Sequence, residues 1–194
     1  TPTPNPTPTP TPNPTPTPDP EPVIEDFYYI IQFDANSGIK LSRKTMTLLI
    51  DDAMGIMPKV QRKNYAFKGW YTQKNGGEKV NSTSVLNVST TLYAQWTKIA
   101  KLAKPKKLSL SSKKTGQIKI SFNSVAKAAG YQIEYSVNKK FSSSIKKNVA
   151  AGKKTIKKLK SGKKYYVRVR AYCLDSTSKK VYGSYSTVKS IKVK

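Results

Sequence analysis

The 194 residues carry 36 lysines and arginines against 10 aspartates and glutamates, a formal net charge of +26, with no histidine and one cysteine, Cys173. The lack of histidine excludes Ser-His-Asp and Cys-His nucleophile systems, and a lone cysteine supports neither a Cys/His zinc site nor a disulfide framework. Apolar residues make up 37% of the chain, enough for packed cores, but runs such as Leu48-Leu49-Ile50 fall far short of a membrane span.

From the first residue, proline occupies every even position from Pro2 to Pro22. Each proline fixes φ, lacks a donor and pushes the preceding residue toward extended geometry. Residues 1–22 are therefore expected to form a polyproline II spacer of ~3.1 Å per residue, up to about 70 Å long. The chain starts inside this repeat with no initiator Met or signal peptide, as expected of a fragment whose export signal lies upstream.

Residues 23–98 change character. The runs Phe27 to Phe33, Thr45 to Ile50, Tyr65 to Tyr71 and Thr91 to Trp96 read as strands. Asn36-Ser37-Gly38, Met57-Pro58 and Asn75-Gly76-Gly77 supply turns between them, and Asp51 to Met57 has room for one helical turn. In residues 99–194 the predicted strands are Lys107 to Leu110, Gln117 to Asn123, Tyr131 to Val137, Tyr165 to Cys173 and Val188 to Val193. Alternation places Ile118, Ile120 and Phe122 on one face, and likewise Tyr165, Val167, Val169 and Ala171. Short alternating strands over about 100 residues fit a two-sheet sandwich.

Family likeness enters at the middle segment. Phe33-Asp34-Ala35-Asn36-Ser37-Gly38, Gly55-Ile56-Met57-Pro58, Tyr65 to Thr72, Gly76-Gly77 and Leu92-Tyr93-Ala94-Gln95-Trp96 occur in order over residues 28–97. Together they resemble the Listeria–Bacteroides repeat, the B-repeat of internalin-like surface proteins. The resemblance implies a small β-grasp-like module on secreted or wall-attached proteins, without catalytic activity. Asn64 departs from it, since the family carries glycine before the tyrosine. Residues 99–194 resemble a bacterial fibronectin type III domain through Gly130 to Tyr135, Leu159 to Ala171 and Tyr182-Gly183-Ser184-Tyr185-Ser186. Leu159 with Tyr165 matches the tyrosine corner of such sandwiches, and Phe122 stands where a core tryptophan is usual. The expected fold class is thus all-β: a linker over 1–22, a β-grasp-like module over 23–98 and a fibronectin type III-like sandwich over 99–194.

The carboxylates do not converge. Asp51 and Asp52 are neighbours that point to opposite faces of a strand, unlike a glycosidase pair. In Asp34-Ala35-Asn36 the turn-forming role of Asp and Asn suffices. Trp70, Tyr93 and Trp96 are read as core of a small module, with Tyr71 the aromatic that sits outside. Cys173 is in phase with the inward residues of its strand and reads as a small buried hydrophobe. On the opposite face lie Tyr166, Arg168, Arg170 and Tyr172, the candidate ligand face. Glu134 is placed to pair with one of the arginines as a surface ion pair of ~0–1 kcal/mol.

Charge is uneven. Residues 99–194 hold 26 lysines and arginines against only Glu134 and Asp175. Many lysines come in pairs, which strand alternation places in turns and strand ends, ringing the domain. Lys153, Lys154, Lys157, Lys158, Lys163 and Lys164 are the candidate polyanion contacts. Two arginines among 26 cations disfavour bidentate readout and favour diffuse attraction. The expected partners are an anionic cell-wall polymer first and a host anionic glycan second, with a host surface protein a further option. Nucleic acid is disfavoured, since no nucleic-acid motif occurs and stacking aromatics are few. No cofactor, catalytic residue or metal ligand is expected. The function read from the sequence is adhesion, wall association or module display by a secreted, extracellular, cell-wall-associated protein. Alternatives are the accessory tail of a secreted glycosidase or peptidase whose catalytic domain lies upstream, and a pure spacer.

Overall fold

A computed structural model describes residues 1–2 and 27–194. The polyproline spacer expected over 1–22 lies, but for its first two residues, outside the described residues. The described residues form thirteen strands and no helix.

The first five strands, β1 (Tyr28–Asp34), β2 (Thr45–Leu49), β3 (Tyr65–Tyr71), β4 (Lys79–Val80) and β5 (Thr90–Lys98), make one sheet in the order β2-β1-β5-β3-β4. First and last strands run parallel at its centre, with Phe33 opposite Leu92, and the other pairings are antiparallel. This is a β-grasp-like order whose crossover from β2 to β3 is irregular chain. The helical turn expected at 51–57 does not form. Asp51 and Gly55 both have positive φ, 63° and 59°, which breaks a right-handed turn, and Ala53 instead bridges Val85.

Trp70 anchors this module at 2% exposure, among Ile31, Phe33, Met54, Val60 and Leu92. Phe33 meets its ring edge-on at 4.9 Å, a favoured aromatic geometry, and its indole N–H donates to the Pro58 carbonyl at 3.2 Å. Trp96 is half-buried against the same core and donates to the Ala35 carbonyl at 3.1 Å. Tyr71 corrects its expectation. It lies on the face opposite Trp70, as alternation requires, yet it is buried. Cross-strand neighbours Lys79 and Tyr93 flank it, and Lys68 lies 5.2 Å above its ring, so aliphatic stems cover the phenol.

The remaining strands build two facing sheets. The first is β10 (Lys153–Ile156), β7 (Ile118–Ser121) and β6 (Ser109–Ser111), in that order. The second is β12 (Lys180–Tyr182), β11 (Lys164–Leu174), β8 (Gly130–Ser136) and β9 (Ile145–Val149), with β13 (Lys189–Lys192) also on β11. Between them pack Ile118, Ile120, Phe122, Tyr131, Ile133 and Val167 with their neighbours. Phe122 fills the expected slot, buried and edge-on to Tyr131 at 4.8 Å. The tyrosine corner is present, with the Lys160 N–H donating to the Tyr165 hydroxyl at 3.3 Å.

Two lysine pairs correct the reading that placed them in turns and strand ends. Lys146 and Lys147 lie within β9, and Lys153 and Lys154 within β10, both edge strands. On an edge, even the inward-facing position stays open to water, so lysine is accommodated there and blunts the unpaired rim.

The two modules touch at a turn. Asn64 N–H donates to Asp175 Oδ2 at 2.9 Å, Arg62 N–H to Ser176 Oγ at 2.7 Å, and Ser176 Oγ back to the Arg62 carbonyl at 2.9 Å. The Ser176 N–H reaches the Tyr65 carbonyl at 2.9 Å. Asn64 sits at φ 65°, which explains both the glycine of the related pattern and why asparagine serves here, since it tolerates the left-handed region better than most residues. Replacing Asn64 with Gly should leave the melting temperature nearly unchanged, whereas Asn64→Val should destabilise the repeat module by ~1–2 kcal/mol in urea titrations.

Candidate ligand surfaces of the sandwich

The outward face of β11 carries all four residues of the expected ligand face. Tyr166, Arg168, Arg170 and Tyr172 alternate with buried Tyr165, Val167, Val169 and Ala171. β8 lies beside β11, with Glu134 opposite Arg168 and Gln132 opposite Arg170.

Both guanidiniums are engaged within the domain. Arg168 Nε donates to Glu134 Oε2 at 2.7 Å, and the Ser144 hydroxyl and Lys146 approach the other carboxylate oxygen. Arg168 also sits between two rings, 4.1 Å from Phe141 and 4.0 Å from Tyr185. Arg170 donates twice to Gln132 Oε1, at 3.0 and 2.7 Å, and lies 3.8 Å over Tyr182. Tyr182 in turn meets Tyr172 at 5.8 Å. The face is thus a layered stack of arginine and aromatic rings, an arrangement in which each desolvated cation is stabilised by the ring quadrupoles.

Glu134 is not the surface partner expected from the sequence, because its side chain is only 3% exposed beside a 29% exposed Arg168. The stack itself covers it. Burial pushes the Glu134 carboxyl up, but hydrogen bonds from Arg168, Ser144 and Tyr185 and the Arg168 charge outweigh this and bring it from 4.5 down to about 2. Burial, and then the adjoining Glu134, push the Tyr185 phenol up to about 12. Asp175 behaves similarly to Glu134: burial raises it, yet bonds from Thr177, Asn64 and Lys179 hold it at about 2.

Phe141, Tyr182, Tyr185 and Gln132 are the members of this surface that sequence reasoning missed. The tyrosines were visible in Tyr182-Gly183-Ser184-Tyr185-Ser186, read there for fold alone. Phe141, at φ 60° in a lysine- and serine-rich turn, offered no periodic signal.

The candidate polyanion lysines separate onto different surfaces. Lys153 pairs across the sheet with Ser121, and Thr155 with Lys119, so these side chains share the outer face of the three-stranded sheet. Lys157 follows the same strand and borders that face. Lys154 pairs with Ile120 and takes the other side at the open edge. Lys158 occupies a turn at φ 60°, while Lys164 begins β11 and Lys163 precedes it. Cys173, expected to be buried, is half-buried near the end of β11. It lines a hollow of about 520 Å³ beside the module junction with Ala66, Leu102, Val125 and Leu174. The strand runs past the core there, so inward phase no longer secures full burial.

Both depressed carboxyls tie stability to pH. Their contribution is fully present above the unfolded values, near 4.5 for Glu134 and 3.8 for Asp175, and is lost as pH falls toward about 2. The urea midpoint of the sandwich should fall across that window, and Glu134→Gln should flatten the part between about 4.5 and 2. At neutral pH, Glu134→Ala should destabilise by about 3 kcal/mol, the lower end for breaking a buried pair, since Arg168 retains some contact with water.

Residues 29–95 match the sequence profile of the Listeria-Bacteroides repeat domain. Repeats of this kind occur in bacterial surface proteins. Solved structures similar to the chain include a Fn3-like protein from Clostridium thermocellum, at 19% identity over 49% of this chain and 96% of that one, with a TM-score of 0.41. The fn3 domain of human contactin 1 is 16% identical over 49% of this chain and 82% of that one, with a TM-score of 0.42. The FN5 domain of Drosophila Lar is 18% identical over 47% and 96%, with a TM-score of 0.38. No curated protein sequence matches the chain. For the C-terminal region, the strand order described above, three strands facing five, carries the fold assignment. The chain therefore contains a Listeria-Bacteroides repeat domain at residues 29–95, followed by an Fn3-like β-sandwich.

Proposed function

We propose that the two modules are non-catalytic parts of a bacterial surface protein, and that the sandwich associates with the anionic polymer of the cell wall by electrostatic attraction. The observation that carries this reading is where the counter-charge lies. Residues 99–194 hold 26 lysines and arginines, and their only two carboxylate side chains, Glu134 and Asp175, are 2% and 6% exposed. Glu134 is engaged by Arg168, Ser144 and Lys146 and Asp175 by backbone and hydroxyl donors, so among the described residues Lys146 is the one lysine of the domain in an ion pair with either of them.

A field of one sign over a domain this small destabilises the fold by self-repulsion but draws in polyanions at long range. Lysine suits such a role better than arginine, being a compact, strongly hydrated charge without a fixed bidentate geometry. Both arginines of the sandwich are committed to Glu134 and Gln132, which leaves recognition to ammonium groups. Of the polyanions an exported protein meets, the wall polymer is the nearest, and a host anionic glycan is the second.

Co-sedimentation with purified Gram-positive walls, before and after stripping the teichoic acid, is the test. Binding should disappear on stripping and fall steeply between 50 and 200 mM salt, as counterion release requires, by roughly a hundredfold or more. A folded protein that fails to sediment at low salt would leave a spacer as the better account.

A further inference from the structure

The outer face of the β6–β7–β10 sheet is built from serine, threonine and lysine side chains. Register places Ser109, Ser121 and Lys153 in one cross-strand rank and Ser111, Lys119 and Thr155 in the next. Gln117 and the lysines at 113, 114 and 157 complete a hollow of about 570 Å³ over these ranks. Ranks lie ~6.6–6.8 Å apart and strands ~4.8 Å apart, so short hydroxyl side chains and long cationic ones stand side by side on this face. The Ser109 and Ser121 hydroxyls already meet at 2.8 Å. No carboxylate, arginine or aromatic side chain borders the hollow.

Each feature narrows the occupant. Ammonium groups without a carboxylate call for an anion. A face without apolar side chains offers a protein hot spot nothing to bury. Without aromatic rings or arginines there is no platform for bases and no bidentate readout, which disfavours nucleic acid. Serine and threonine hydroxyls and the Gln117 amide instead match a ligand that itself presents hydroxyls. The other face of the sandwich does not compete, because its guanidiniums are held by Glu134, Gln132 and the aromatic stack.

We propose that this face is a docking strip for one chain of an anionic polysaccharide, its charges met by Lys113, Lys114, Lys119 and Lys157 and its hydroxyls by the serine and threonine side chains. The inference rests on the wall-association reading above and assigns that reading a place.

The probe is dextran sulfate, titrated into the full chain by calorimetry at several salt concentrations, with neutral dextran as control. Two variants of equal net charge are compared: K113Q/K114Q/K119Q/K157Q on the strip, and K139Q/K140Q/K147Q/K189Q on the other sheet and its turn. All eight side chains are exposed, and matched melting curves verify folding. The strip variant should weaken binding at least tenfold and lower the salt slope by about three, while the control variant should change affinity less than threefold. Equal losses in both variants would overturn the strip while leaving diffuse wall attraction standing. Wild-type protein that does not bind dextran sulfate at low salt would overturn both. Single-stranded DNA bound as tightly as dextran sulfate at equal charge would overturn the polysaccharide assignment.

Discussion

The Arg168–Glu134 pair across β8 and β11 is the interaction on which the surface chemistry of the sandwich depends. These strands match over seven residues, from Tyr166 opposite Ser136 to Tyr172 opposite Gly130. They are the central strands of their sheet, and every residue of β8 is buried. A central strand covered on both faces normally reads as a continuous apolar run. Here Gln132 and Glu134 point to the outer face and are sealed under arginine and tyrosine. The pair spends the domain's only mid-sheet carboxylate internally. Close packing enforces the arrangement: a Cβ on Gly130 would come within 2.5 Å of the Tyr172 hydroxyl.

The two faces of the sandwich have therefore diverged. One is closed, its donors and acceptors satisfying each other through stacked rings. The other is open, with short hydroxyls and long ammonium side chains next to one another. An open face of like charges costs stability, and the closed face, together with the core around Ile133 and Val169, offsets it. The repeat module follows a different rule. Its charge excess is far smaller, ten lysines and arginines against six carboxylates over residues 23–98, and its stability centres on Trp70, packed where a β-grasp sheet curls over an irregular crossover.

Much of this was legible in the sequence, for identifiable reasons. β3 was bounded to the residue, and most long strands fell within one or two residues, because their apolar alternation is unbroken. β9, β10 and β12 were not seen. Their sequences, such as Ile-Lys-Lys-Asn-Val, alternate nothing, since an edge strand can face water on both sides and the lysines carry no period. β4, at two residues, is too short to show one. The four outward residues of β11 are legible as one face and Glu134 as the partner of one arginine, but the burial of that pair and the engagement of both guanidiniums are not. That depended on Phe141 and Tyr185, which arrive from separate turns. The open lysine face was invisible for a related reason: its members come from three strands, and only register brings Ser109, Ser121 and Lys153 together.

The contact between Asp175-Ser176 and Arg62 to Tyr65 bears on how the chain would behave under tension. It joins residues more than a hundred positions apart by four hydrogen bonds, while the covalent path between the sheets runs only from Lys98 to Ser109. A load pulling the modules apart meets these bonds before it reaches either core. Once they part, most of the connector stays on the sandwich, where Leu108 is in the core, Leu102 packs against it and the Lys106 carbonyl accepts from the Asn123 N–H, and a tether that short keeps the two surfaces at an effective concentration on the order of millimolar. The junction thus acts as a yielding link. Opening it frees only the few residues between Lys98 and Leu102, because Leu102 and Leu108 pack on the sandwich core.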